Sequence, residues 1–549
     1  GNGGLVLSGK VTGSGGFEKT GPGTLRLTNT TNDFTGNITI TDGHVQANDN
    51  LHFGNTSNTI VFNGGTFQQN NGAALTIGSG HTLTATSGNA IRLHVWGGGS
   101  ITVNGPITGA SATGLIKSDS GLLVLANSGN SYAGYTQIVD ASQIRLDADN
   151  VIPDTSSVLI YGNSTLNVNG RTETVAGLHV GGTGDTTAAV QLGSGGNLTV
   201  TGTSMPGGSP TNIGNNFVGL LTGTGNITYN HSTNAQANWF WNNGSNNFTG
   251  NVTITSGRLN VTEASLGNAA NDIIFNGDVV ATLNHGEGKA SLQQTSAASL
   301  TLNAGRTITL NTGKEGTIYV WGGQTTEVLG QITGGGNLRK EDGGVLVLSN
   351  SSNNYTGETK LVLGELRLGV ANVLPDATTV VLGNSGTLNM NGLSDTVTSI
   401  SGAGFSGGII TGSGGVLTVN GPGSHTYTGR VTDSIGVGNG AIVAYNGTGS
   451  LTLSGTADNS GGRARVDAGT LILAKTSTGS VHAVGTDNIP ALYINGGTAQ
   501  LGGTGGDQIY SNANVQMAGG IFDLNARSEG FRGLTGTAGT IINNGGGTS

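Results

Sequence analysis

Several stretches hold residue types that could do chemistry, and each needs a setting to do it. Ser204 in Gly202-Thr203-Ser204-Met205-Pro206 and Ser406 in Gly404-Phe405-Ser406-Gly407-Gly408 sit in nucleophile-like surroundings. A serine nucleophile of either kind opens a helix, but Pro206 and Pro210 forbid one at the first site. The second has no strand–turn–helix pattern around it. Gly502 to Ile509 fits a calcium-binding nonapeptide loop. Such loops share the ion with the next copy; only one copy exists, which leaves Asp507 as a single candidate metal ligand. Gly4 to Lys10 approaches a phosphate-binding loop, with Val11 where a hydroxyl residue would hold magnesium.

Polysaccharide cleavage requires carboxylates converging on one bond. The 30 Asp and Glu are scattered singly along the chain, and Glu341 and Asp342 are adjacent, so on a strand they would point to opposite faces. The nine histidines, His44, His52, His81 and His94 among them, show no metal-ligand spacing. The residues therefore predict no catalytic site, no cofactor and no enzyme. One aromatic cluster stands apart: Trp239-Phe240-Trp241, with Trp96 and Trp321 elsewhere, is a candidate ligand or subunit contact. Its alternative role is stacking in an interior.

What positions these residues is a sentence that the chain repeats. Gly15 to Val45 alternates apolar and polar residues in two halves, Gly16 to Leu27 and Phe34 to Val45, joined by a polar loop. That period of two reads as half-buried strand. The pattern returns at 114–144, 225–259, 336–366 and, degraded, 440–471. The distances Leu27 to Phe34, Leu125 to Tyr132, Trp241 to Phe248 and Leu348 to Tyr355 are all seven residues. A longer period lies above it: Trp96 corresponds to Trp321, Tyr132 to Tyr355 and Pro153 to Pro375. We therefore expect three segments, 1–211, its duplicate 212–425, and a partial third, 426–549. Short strands at regular spacing, closed by Gly and Asn, predict a parallel β-helix in which like strands stack about 4.8 Å apart.

Bulk composition agrees. Glycine accounts for 103 of 549 residues and charged residues for 9%; regular Leu, Ile and Val positions between the glycines argue against a disordered linker. With a net charge of −9 and no basic cluster, nucleic acid is excluded as a partner. Cysteine is absent, which excludes disulfides and thiolate chemistry. No apolar run is long enough for a membrane-spanning helix. Gly1-Asn2-Gly3-Gly4 is not a leader and the chain stops within its pattern, so a processed or excised segment is expected.

The motif Gly-x-Φ-x-Lys-x-Gly-x-Gly-x-Leu-x-Leu, then a loop and Phe/Tyr-Thr/Ala-Gly, resembles the autotransporter-associated β-strand repeat. The first copy carries it in Lys19, Gly21, Gly23 and Phe34-Thr35-Gly36, and the fourth in Lys340, Gly343, Leu346, Leu348, Tyr355-Thr356-Gly357 and Gly364. The second keeps Lys117 but has Ala141-Ser142 in place of the later glycine; the third has Trp239-Phe240-Trp241 in place of Leu-x-Leu. The resemblance implies an all-β, single elongated right-handed parallel β-helix on the outside of a Gram-negative cell. It also implies a C-terminal outer-membrane barrel, absent from these residues. The expected role is a structural fibre subunit, stalk or adhesin, with a head-to-tail filament or a polysaccharide-binding or polysaccharide-cleaving protein as alternatives. Expected partners are other copies of the chain, or host and environmental surfaces and glycans.

Overall fold

The computed structural model describes residues 3–545, apart from 70–71, 110–113, 183, 203–215, 232–236, 295–297, 403–407, 434–439, 460 and 488. Ser204 and Ser406 lie outside the described residues. The chain forms two compact units, Gly1–Asn271 and Asp272–Ser549. Each is a β-solenoid of short parallel strands. Two 3-10 turns, Asn50–Phe53 and Ala264–Leu266, are the only helical elements among the described residues. The sequence left residues 288–300 open between a short helix and a strand; Ala290–Gln294 is a strand.

Within the first unit, nine strands from Leu5–Leu7 to Gly177–Val180 form one continuous parallel sheet. Their registers align Leu25, Val45, Phe67, Leu93, Lys117, Ile138, Ile160 and Val180 in a single inward row. In the second unit Leu346, Leu366, Leu388, Ile410 and Val431 stack likewise. So do Leu417, Val443, Ala464, Leu492 and Val515. The period-two pattern causes this: alternate side chains face inward, and identical register repeats the choice in every coil. Among the described strand pairs, Gly277–Asp278 against Lys314–Glu315 is the antiparallel exception.

The expected strand and loop residues take their places. Phe34, Tyr132, Phe248 and Tyr355, the aromatics seven residues beyond each strand, are fully buried. Gly54 and Gly267 lie so close to the Phe34 and Phe248 rings that an added Cβ would come within 2.7 Å of each. Asn58 and Asn271 close the two corners alike, each donating to the carbonyl of its phenylalanine, at 2.8 and 3.0 Å.

Candidate functional site

The repeat's polar residues are turned to the backbone. Lys340 lies in an apolar row, in register with Ile318 and Leu361. Its Nζ donates to the carbonyls of Glu341, Asp342 and Leu363 at 2.8, 2.6 and 3.1 Å. Lys19 makes the same three contacts with Thr20, Gly21 and Asp42, and Lys117 contacts Ser118 and Asp119. Burial pushes Lys117 and Lys340 down to about 7, against the pull of nearby Asp119 and Asp342. In the third and fifth copies a tyrosine stands in for the lysine. Tyr229 lies against Gly257, and Tyr445 against Gly469, as Lys19 does against Gly43.

A second device was missed in the sequence reading. Two residues before each aromatic stands an asparagine that clamps the coils on either side. Asn32, Asn130, Asn246 and Asn353 accept from the backbone N–H of Val11, Ile107, Leu221 and Ile332 at 2.8–2.9 Å. They donate to the carbonyls of His52, Val151, Ser265 and Val373 at 2.7–3.0 Å. Asn459 does the same with Val431 and Ala483 in the degraded copy. The signal was present as a fixed offset from the aromatic, inside loops rich in Asn throughout.

The tryptophan triplet occupies the Leu-x-Leu strand, with Trp239 and Trp241 in register with Leu259 and Val261. Both indoles are 1% exposed. Trp239 packs on Tyr229 at 5.3 Å and on Trp241 at 5.1 Å, and Trp241 meets Phe248 at 6.4 Å. Phe240 faces outward and is half-buried. The strand's alternation thus sends the two largest rings to the interior and leaves one ring of the triplet for outside contact.

Asp507 faces His482, Oδ2 to Nε2 at 3.5 Å, and Asp458 approaches the other ring nitrogen at 3.2 Å. No group of three His, Asp or Glu side chains is arranged to hold a metal among the described residues. The adjacent carboxylates are parted by the end of the strand, since only Glu341 lies on Asn337–Glu341. Glu341 is buried, and Asp342 sits in the turn with φ 64°. Glu341 belongs to a buried charge group that the sequence did not reveal. Arg339 donates to its carboxylate at 2.6 Å and to the carbonyls of Thr282 and Asn284; Gly286 and Gly288 donate their N–H groups to it. Lys360 joins Glu315 at 2.9 Å and the Val280 carbonyl at 2.8 Å. These four charges balance, and they fasten the loop 279–289 across the sheet. Buried ion pairs need such partnering to be tolerated; Glu315 Oε1 is the one carboxylate oxygen of the group without a hydrogen bond, with the Arg339 Nη1 at 3.7 Å.

The other two tryptophans are exposed, Trp96 at 41% and Trp321 at 43%. Each opens a turn, Trp96-Gly97-Gly98-Gly99 and Trp321-Gly322-Gly323-Gln324, closed by the fourth N–H to the indole residue's carbonyl at 2.9 and 3.0 Å. Gly98 and Gly323 share φ 78°. On the next coil an aspartate follows the repeat lysine in each case, Asp119 and Asp342. His94 stacks edge-on with Trp96 at 5.6 Å and pairs with Asp119 at 2.9 Å. In the second unit Tyr319 packs on Trp321 at 6.2 Å, and His285 from the fastened loop bonds the Tyr319 hydroxyl at 3.0 Å.

Comparison with known proteins fits this geometry. A family model described as passenger-associated-transport-repeat matches residues 17–47, 115–141, 338–368 and 445–473. These are four of the five copies; the copy carrying Trp239-Phe240-Trp241 is not among them. The chain is 30% identical over 523 residues to "Adhesin BmaC autotransporter" of Brucella suis biovar 1 (strain 1330), an alignment that takes in 91% of this chain. It covers 14% of that relative's length. No solved structure matches the chain. The repeat lysines, glycines and aromatics lie in their stacking places, and the chain carries four passenger-associated transport repeats and is similar along most of its length to an autotransporter adhesin, which places it outside the Gram-negative cell or attached to its outer membrane.

Proposed function

We propose that the chain is a non-catalytic adhesive passenger, a β-solenoid that presents side chains at its turns to other cells or surfaces. The observation that carries this reading is the likeness to an adhesin along 91% of the chain. The chemistry of the repeat supports it. Lysine, asparagine and glycine at the repeated positions serve the backbone, and Glu315, Glu341, Arg339 and Lys360 are spent on fastening a loop. The solenoid thus acts as a rigid frame, and the outward corner residues are what vary upon it.

We read the frame as duplicated, with segments 1–211 and 212–425 followed by a partial 426–549. Matched side chains support this. The Tyr132 hydroxyl meets Thr136 at 2.7 Å and Thr136 meets Ser156 at 3.0 Å; Tyr355, Thr359 and Thr378 repeat the relay at 2.6 and 3.0 Å. Glu173 accepts from the N–H groups of Val151 and Ile152, and Asp395 from those of Val373 and Leu374.

The test is adhesion. Beads coated with the purified chain should attach to epithelial cells above an albumin-coated control, and soluble chain should compete. Attachment equal to the control on cells, matrix proteins and abiotic surfaces alike would end the adhesive reading. Release of reducing ends from pectin or other polysaccharides by the same preparation would end the non-catalytic one.

A further inference from the structure

The two exposed indoles share one construction in two places. Trp96 and Trp321 are exposed, while Trp239 and Trp241 are buried. Both exposed rings stand on a turn whose next two residues are glycines, and an added Cβ at Gly98, Gly322 or Gly323 would meet nothing within 4 Å. The ground beside Trp321 is therefore open, and beside Trp96 it is open at Gly98 and bounded at Gly97 by the Ser120 hydroxyl, 2.7 Å from where a Cβ would stand. The next coil fits against the turn in the same way. Gly121 and Gly344 donate to Val95 and Val320, each at 2.9 Å, and a Cβ added to either glycine would collide with the Trp96 or Trp321 carbonyl. An aspartate precedes each of these glycines by two residues. Asp119 holds Ser120 through its N–H at 2.7 Å, as Asp342 holds Gly343 at 2.7 Å.

Beside the Trp96 turn lies a hollow of about 370 Å³ lined by Gly72, Ala74, Gly98, Ser100, Ser120 and Leu122 among others. The Trp96 indole and the Asp119 carboxylate stand outside its lining, so the hollow is ground beside the platform and not the platform itself. Its walls combine backbone, hydroxyls and little apolar bulk. On the coil after Asp119, Asp140 is exposed and accepts from the Asp119 N–H at 3.3 Å. One edge thus offers an indole face, then two carboxylates.

We propose that Trp96 and Trp321 are equivalent platforms for neutral saccharide rings. A pyranose has an apolar face of C–H groups and a rim of hydroxyls. The face lies on the indole, and the hydroxyls donate to Asp119 at the first site and to Asp342 at the second. The carboxylates decide the class. They accept from neutral hexoses and N-acetylhexosamines and repel uronates, sialic acids and sulfated sugars, in a chain of net charge −9. His94 holds Asp119 in place at the first site; at the second, His285 lies 3.8 Å from Asp342 and anchors Tyr319 beneath the indole. This assignment names a ligand class for the adhesive reading and rests on it.

The experiment uses the whole chain on an array of short neutral oligosaccharides of glucose, galactose and N-acetylglucosamine, with sialylated and sulfated counterparts. Binding is then titrated by tryptophan fluorescence. A neutral oligosaccharide should bind, with affinity about tenfold weaker in Trp96→Ala/Trp321→Ala and weakened in part by either single change. Asp119→Asn/Asp342→Asn should also weaken it and relax the discrimination against anionic sugars. Circular dichroism checks that each variant folds, which the exposed rings make expected. Absence of neutral-sugar binding at millimolar concentration, binding untouched by the double tryptophan variant, or preference for anionic sugars would each overturn the assignment. Bead adhesion run in parallel separates the two readings: adhesion that survives the double variant leaves the adhesive reading standing and removes this one.

Discussion

Asn353 joins two coils through Val373: its side-chain amide donates to the Val373 carbonyl at 2.8 Å while its oxygen accepts the Ile332 N–H at 2.8 Å. One side chain so placed satisfies the backbone of the coil before it and the coil after it. The same residue type does this in all five copies. A β-solenoid has irregular corners whose backbone groups find no ladder partner, and buried groups left so cost stability.

Asn353→Ala should therefore destabilise the second unit by about 2 kcal/mol, since two buried backbone groups lose their partner together. Urea denaturation followed by far-ultraviolet circular dichroism measures it. Asn350→Ala, in the same loop, keeps Asn353 intact and gives up a bond to the Leu329 carbonyl and one from the Ser352 N–H, both at a more exposed site where water can replace them. It should cost clearly less. Equal losses at the two positions would contradict the clamp.

The turn glycine of the repeat makes a paired prediction. Gly364 has φ 77°, and a Cβ there would sit 2.3 Å from the Asp342 carbonyl oxygen and 2.6 Å from that of Gly344. Gly364→Ala should cost roughly 2 kcal/mol or more, through the left-handed backbone and the clash with unmovable carbonyls. The second copy has Ala141 at φ 54° in that turn. There Ala141→Gly should stabilise by about 0.5–1 kcal/mol, as strain relief exceeds the added chain entropy. Shifts of the thermal midpoint in opposite directions are the expected outcome; a loss at both positions would refute the reading of Ala141 as strained.

Two inward carboxylates set a pH dependence. Glu173 and Asp395 lie in register with Leu198 and Leu417, and burial pushes them up to about 7 and about 6 from ordinary values of 4.5 and 3.8. Backbone N–H groups oppose the rise only in part. A raised folded-state value means that the native chain binds the extra proton. The stability from Glu173 is thus complete below about 4.5 and is lost as the pH climbs through 7; for Asp395 the window is 3.8 to 6. Glu173→Gln should flatten this fall and leave the variant up to ~3 kcal/mol more stable than the parent at pH 8. Urea midpoints of both proteins across pH 4 to 8 test it, and parallel curves would rule it out.

Much of the fold was written in the chain. Alternation at Thr24–Leu27 and Ile38–Ile40, the fixed seven-residue step to Phe34 and its counterparts, and glycine at Gly43 and Gly364 determined strands, inward rows and turns. They could do so because a coil that repeats in sequence must repeat in register. The exterior was less legible. Alternation alone turned Trp239 and Trp241 inward, so of the three rings that the sequence offers as a contact only Phe240 faces out. Trp96 and Trp321 are exposed because each stands at the first position of a turn, one residue beyond a buried valine, Val95 or Val320, that follows the strand's end, where no row exists to receive it.

Tertiary structure alone decided which coils meet at a corner. It brought Asp119 from one coil onward to His94, which packs on Trp96, and His285 to Tyr319 and Asp342 from a loop held by Glu315, Arg339, Glu341 and Lys360. Those partners lie a coil or more apart along the chain, beyond the reach of the period-two alternation. Local alternation fixes what faces in, whereas neighbours on the outside follow from how many residues each coil takes to return.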